Sequence, residues 1–201
     1  MKLYYKAGAC SLAPHIIANE ADLDVEAIEV DLAKKTTEQD GDFLAINPNG
    51  YVPALVLADG EVMTEASVLV QYLADQKPQS GLMPEAGSLE RYRVQEWLTF
   101  IATELHKSFT PFFKPDTPEK TKDANRALLT RRIGFVDQSL QGRGYLMGET
   151  FSAADAYLWT ILGWAGHVGF DLSPFENVQR FMATVAARPA VQKTLREEGL
   201  A

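Results

Sequence analysis

Cysteine is nearly absent from this chain: its 201 residues hold one, Cys10. A lone cysteine closes no intrachain disulfide, and no Cys-x-x-Cys pair is present for a zinc site or a dithiol cycle. No metal is expected. Positive charge is also in deficit, with 19 Lys and Arg against 27 Asp and Glu, a net charge of −8. That balance leaves no basic footprint for nucleic acid. Long apolar runs are missing too. The stretch 153–166 is interrupted by Asp155 and is too short to span a bilayer. At the N-terminus, Lys2 is followed by only three apolar or aromatic residues before Lys6, which is not a secretory signal. One cysteine and no export signal point to a reducing cytoplasm. Neither internal repeats nor low-complexity segments occur.

What is present is ordinary globular composition, 46% hydrophobic and 23% charged, in a chain long enough for one large core or two smaller ones. Two grammars divide it. Residues 1–77 alternate strand and helix patterns. Leu3–Tyr5 and Ala27–Val30 read as strands around a helix at Pro14–Ala21. Val52–Leu57 and Glu61–Met63 flank Ala58-Asp59-Gly60, a hairpin signal, and a helix runs from Thr64 to about Gln76. This order makes an α/β unit with a mixed sheet. Residues 78–87 (PQSGLMPEAG) form a Pro/Gly/Ser-rich linker. From 88 to 201 nearly everything reads helical: Ser88–Thr110, Pro118–Leu140, Ser152–Val168, Phe175–Ala187 and Ala190–Glu198.

Three segments carry chemical interest. Cys10 lies between the first strand and the first helix, after Gly8 and before Ser11. Exposed N–H groups and the dipole at a helix N-terminus favour thiolate over thiol. The competing reading is a small buried hydrophobe. In Asn47-Pro48-Asn49-Gly50-Tyr51-Val52-Pro53-Ala54-Leu55, Pro53 must sit at a strand start because it donates no ladder bond. A cis Val52–Pro53 bond would accommodate it and turn the Val52 main chain toward an extended, peptide-like ligand. Thr64-Glu65-Ala66-Ser67 opens a helix whose first N–H groups suit a carboxylate, while Glu65 suits an ammonium; an ordinary acidic first turn explains the same residues.

Together GACSLAPH, Lys35, NPNGYVPAL, TEA at 64–66, ATELHKSFTP at 102–111 and FSAADAYL at 151–158 resemble the glutathione transferases, and in detail their bacterial beta class, over essentially the whole chain. The resemblance implies a thioredoxin-like N-terminal domain (1–77), a linker (78–87), an α-helical C-terminal domain (88–201), a homodimer, and glutathione held in a cleft between the domains. It places Cys10 against the glutathione sulfur and Lys35 on the glycine carboxylate. The Val52 main chain, with Pro53 cis, meets the cysteinyl backbone, and Glu65 with Ala66 takes the γ-glutamyl end. The family often has Ser or Gly at 66. Ala66 keeps the N–H without a hydroxyl, a loss on the order of 1 kcal/mol. Thr99, Thr103 and His106 fall at i, i+4, i+7 on one helical face, which the resemblance turns toward the thiol, with Glu104 toward the glutathione of the other subunit. His106 would act protonated, lowering the thiol further, or neutral, as a base.

Ordinary roles compete elsewhere. Tyr5 could hydrogen-bond a thiolate but reads more simply as a core aromatic. Ser152 and Asp155 have capping-box spacing. Tyr157, Trp164, Phe109 and Phe112 either line an apolar site for an electrophilic second substrate or fill the core. The implied activity is conjugation of the glutathione thiol to apolar electrophiles, with thiol–disulfide exchange through Cys10 as a second activity. A non-catalytic binding or interaction protein on the same scaffold is the alternative.

Overall fold

The computed structural model describes residues 1–39 and 41–201. By their contacts they form two compact units, residues 1–83 with 187–201, and residues 84–186.

The first unit is built on a five-stranded sheet in the order β3-β2-β1-β4-β5. Strands β1 (Lys2–Tyr5) and β2 (Glu26–Asp31) pair in parallel, joined by α1 (Leu12–Glu20). Pro14 falls in the first turn of α1, where a missing N–H costs nothing. β4 (Ala54–Val56) pairs antiparallel with β1 and with β5 (Val62–Thr64), and the Asp59-Gly60 turn closes this hairpin as expected. α3 (Ala66–Asp75) follows. Two elements lie outside the expected set: β3 (Thr36–Thr37), and α2 (Phe43–Ile46), which is capped by the Asp42 side chain accepting from Leu44 N–H at 2.9 Å. Phe43 is fully buried against Tyr4, with Ile28, Val30, Val52 and Ala54 around them on one face of the sheet. The other face is covered by α1, α3 and α9 (Pro189–Glu197). The segment 187–201 is bound to α1 by an Arg188–Glu20 pair (2.6 and 2.9 Å) and an Asn19–Thr194 bond (2.9 Å).

The second unit is helical. α4 (Leu89–Phe100), capped by Ser88, continues without a break into a π-helical stretch, Ile101–His106. The short α5 (Lys107–Phe109) and a 3₁₀ turn, Thr110–Phe113, complete this run. α6 (Glu119–Ser139), α7 (Ala153–His167) and α8 (Glu176–Ala186) follow. α7 is buried around most of its circumference, which makes it the axis of this unit. Its expected capping box is present, but Asp155 does more than cap. Its fully buried carboxylate accepts from Ser152 N–H (2.8 Å), Ser152 Oγ–H (2.7 Å) and Leu146 N–H (2.8 Å), so it also pins the preceding loop. Among the described residues, no helix is long and apolar enough to cross a membrane.

Candidate functional site

Register brings the unit-one candidates to one end of the sheet. Tyr4 pairs with Ala54, so the chain leaving β1 toward Cys10 runs beside the start of β4 at Val52-Pro53. Ala54 pairs with Thr64, so β5 delivers Glu65 to that same end. β2 runs parallel to β1, and its exit leads through residues 32–34 to Lys35.

Cys10 occupies a turn immediately before α1 and is half-buried. The turn depends on Gly8, which has φ 70°, a backbone conformation costly for residues with a Cβ. Ser11 is fully buried and braces the turn from inside: its Oγ accepts from Lys6 N–H (3.1 Å) and donates to Lys6 O (3.2 Å). The Cys10 thiol donates to Val52 O at 3.4 Å. The Val52 side chain is locked in the core, which leaves its main chain as the working part, and the Val52–Pro53 bond is cis, as expected.

Two residues further back in that segment, Gly50 O accepts from Lys35 Nζ at 2.8 Å, with the ammonium 5.7 Å from the centre of the exposed Tyr51 ring. Three consecutive residues, 50 to 52, therefore tie the lysine to the thiol. An ammonium has three donors, so Lys35 retains two for an anion. Asn47 holds this segment in shape: its Nδ2 donates to Tyr51 O (2.7 Å) and its Oδ1 accepts from Asn49 N–H (3.2 Å).

Lys35 and Glu65 share an unusual backbone. Among the described residues, non-glycine φ is positive at Asp22 (51°), Lys35 (58°) and Glu65 (71°) alone. Such conformations cost on the order of 1–3 kcal/mol, and they persist where surrounding structure or function demands them. Glu65 has ψ 115° and stands at the N-cap of α3 without capping it. Its carboxylate is exposed and takes no protein partner among the described residues. Ala66 is buried, and its N–H starts the first, unsatisfied turn of α3.

The unit-two candidates differ in setting. The i, i+4, i+7 spacing of Thr99, Thr103 and His106 presumes an α-helix, but residues 101–106 are π-helical, with i→i+5 bonds. The wider turn changes the register, so a single α-helical face does not describe these three residues. Thr99 and Thr103 are exposed, and their hydroxyls donate to Gln95 O and Thr99 O. Glu104 accepts from Arg132 Nε of α6 at 2.6 Å. His106 Nδ1 bonds the Tyr157 hydroxyl at 2.7 Å, and its ring stands edge-on to Trp164 at 4.9 Å. Burial first, and the Lys107 charge second, pull the imidazole down to about 4. His106 is therefore neutral at physiological pH. Tyr157 and Phe109 are core residues, Trp164 is nearly so, and Phe113 stands half-exposed against Trp164.

Tyr5 packs against His15 of α1, on the face covered by helices. The described residues contain no group of three His, Cys, Asp or Glu able to hold a metal ion. The strained backbone at 35 and 65 and the π-helical turn escaped sequence reading; composition carries no signal for either.

Residues 7–76 match the family described as Glutathione S-transferase, N-terminal domain, and residues 100–189 match Glutathione S-transferase, C-terminal domain. The chain is 48% identical to Glutathione S-transferase GstA of Escherichia coli O157:H7 over the full length of both. Among solved structures, it is similar to a sphingomonad glutathione S-transferase complexed with glutathione (45% identity, TM-score 0.96, all of both chains). It is also similar to a bacterial beta-class enzyme of Sphingomonas chungbukensis (43%, 0.96, all of both chains).

Proposed function

From the premise that this chain belongs to the glutathione S-transferase family and resembles its bacterial beta class, we propose that it binds glutathione on its first unit and transfers the glutathione thiol to apolar electrophiles. The observation that supports this most is the 50–52 backbone segment, tied to Lys35 on one side and to the Cys10 thiol on the other. Glutathione is an extended tripeptide with a carboxylate at the glycine end and an α-amino acid at the γ-glutamyl end. Lys35 takes the glycine carboxylate. The Val52 main chain meets the cysteinyl peptide group. Glu65 pairs with the α-ammonium, and the Ala66 N–H meets the α-carboxylate at the α3 N-terminus. The glutathione sulfur then lies beside Cys10.

Among the unit-two residues, the state of His106 narrows its role. Held neutral, it supplies no cation to stabilise a thiolate. With a basicity far below that of a thiol at about 8.5, it does not retain a thiol proton. It acts as a hydrogen-bond partner through Nε2, with Nδ1 fixed by Tyr157. Thr99 and Thr103 are assigned to glutathione by resemblance, as is Glu104 toward the glutathione of a second subunit. A homodimer is part of the proposal, and the exposed Leu89, Tyr92 and Phe135 supply apolar surface for it.

Cys10 also gives a disulfide-exchange reaction. Its thiolate attacks one sulfur of glutathione disulfide, a Cys10–glutathione bond forms, and the other glutathione leaves as thiolate. Mass spectrometry after incubation with glutathione disulfide should show one glutathionyl group per chain, removed by dithiothreitol and absent in Cys10→Ala. Cys10→Ala should lose disulfide exchange and retain part of its conjugation of a general aromatic electrophile. Full exchange activity in that variant would remove Cys10 from the mechanism.

A further inference from the structure

On the helix-covered face of the sheet lies a cavity of about 410 Å³ that the transfer reaction does not use. Tyr5, Asn19, Lys193 and Glu197 form its polar wall, and Leu23 and Val25 part of its apolar one. Tyr5 is 8% exposed, yet its hydroxyl takes no hydrogen-bond partner among the described residues. The ring is buried, but the hydroxyl oxygen itself is not: it reaches the cavity that Tyr5 lines, and so remains open to a ligand there. Glu197 is held in place by His15 Nε2 (3.1 Å) and Asn19 Nδ2 (2.7 Å). The field is negative. Burial, then the carboxylates of Glu29, Glu198, Glu38 and Glu197, push the Tyr5 phenol up to about 12. Asp24 adds a further carboxylate to the lining. Three basic side chains face these carboxylates and each is already engaged: His15 bridges Glu197 (3.1 Å) and Glu198 (2.9 Å) through its two ring nitrogens, Lys193 is half-exposed and 3.7 Å from Glu197, and Lys6 is spent on Glu29 at 2.8 Å.

We propose that this cavity is a second binding site, for a small organic cation: a primary ammonium on a short apolar stem. The ammonium donates to the Tyr5 oxygen and to Glu197, with the stem against Leu23 and Val25. An anion would meet the carboxylates, and a neutral alcohol would gain no counter-ion. The volume is at the small end for ligand sites, which suits a stem of a few carbons.

The probe is butylammonium chloride, titrated into ¹⁵N-labelled protein at constant ionic strength, with sodium butyrate and butanol as charge-reversed and neutral controls. Saturable amide shifts are expected around residues 5, 19, 193 and 197, with a Kd in the millimolar range for so few atoms. Tyr5→Phe should weaken binding about fivefold and Glu197→Gln about tenfold. Retained glutathione conjugation in both variants confirms that they are folded. The proposal stands if both variants weaken butylammonium and butyrate fails to saturate. It falls if butylammonium shows no saturable shift, if either variant binds it as the parent does, or if butyrate or butanol binds as well.

Discussion

Two polar anchors in this chain look alike in sequence and differ in what they leave unmade. The Ser152–Asp155 box and the Lys35/Glu65 pair each place charged or capping residues at a turn. Asp155 is wholly buried, and three donors converge on its carboxylate. Glu65 sits at a helix start too, but on a strained backbone, exposed, with its carboxylate spent on none of the described residues. Lys35 shares the strain and uses one donor of three. A polar group that serves the fold saturates its valences inside the fold. A group that serves a ligand keeps valences in reserve, and the fold bears a conformational cost to hold it there.

The sharpest test of that contrast is Asp155→Ala. It leaves Leu146 N–H, Ser152 N–H and Ser152 Oγ–H in a buried place without their acceptor, at roughly 1–3 kcal/mol for each donor that stays unpaired. We expect a loss of about 3–5 kcal/mol in urea unfolding, with glutathione affinity of the folded protein unchanged. Weakened affinity at near-parental stability would reverse the assignment.

Glu65→Ala is the mirror experiment. Stability should be unchanged, while calorimetric affinity for glutathione falls by about 1.5–3 kcal/mol, the worth of a hydrogen bond to a charged group. Glu65→Gly adds a second readout: relief of about 1–3 kcal/mol of strain at φ 71° outweighs the roughly 0.4–1 kcal/mol that glycine costs through unfolded-chain entropy, so this variant should be more stable than Glu65→Ala while affinity falls equally. If Glu65→Gly is less stable than Glu65→Ala, the backbone at 65 is not strained.

A shallower effect is expected from His106. Its folded value, about 4, lies below the ordinary 6.5 or so, so the unfolded chain binds the proton first. This contribution to stability is fully present above about pH 6.5 and is lost as pH falls toward 4. His106→Gln should flatten the stability profile in that window and leave it unaltered above it. An identical profile would mean that the ring is not held neutral by its surroundings.

These contrasts mark what was readable in the sequence. The capping box and the Asp59-Gly60 hairpin were legible because their signals are local and fixed in spacing. Cys10, Val52 and Glu65 could be singled out as residues, and strand register then brought their segments to one end of the sheet. β3, with two residues, and α2, with four, are too short to show any periodicity. The π-helical turn at 101–106 is a choice between two hydrogen-bond patterns for one sequence, decided by packing. Positive φ at Lys35 and Glu65 runs against every local preference of a residue with a Cβ. The packing of α9 on α1 rests on contacts such as Asn19–Thr194, between residues far apart in the chain, which no window encodes.

The finest form of the comparison lies between neighbours. Lys34 and Lys35 are chemically identical and adjacent, so charge and composition alone do not separate them. Lys34 is exposed, its ammonium 3.3 Å from Asp31 in an i,i+3 surface pair, which is worth little in water. Lys35 is half-buried, its backbone turned to φ 58°, and its carbonyl accepts from Phe43 N–H at 2.9 Å. Its Nζ lies against Gly50, where an added Cβ would come within 3.3 Å of it. The strained turn is what sends one lysine inward to the 50–52 segment and leaves the other in solvent. Lys35→Ala should weaken glutathione by about 1.5–3 kcal/mol. Lys34→Ala should change both affinity and stability by less than about 0.5 kcal/mol. Equal losses from the two would mean that glutathione responds to the positive charge of this loop as a whole, and the geometric assignment of Lys35 would fail.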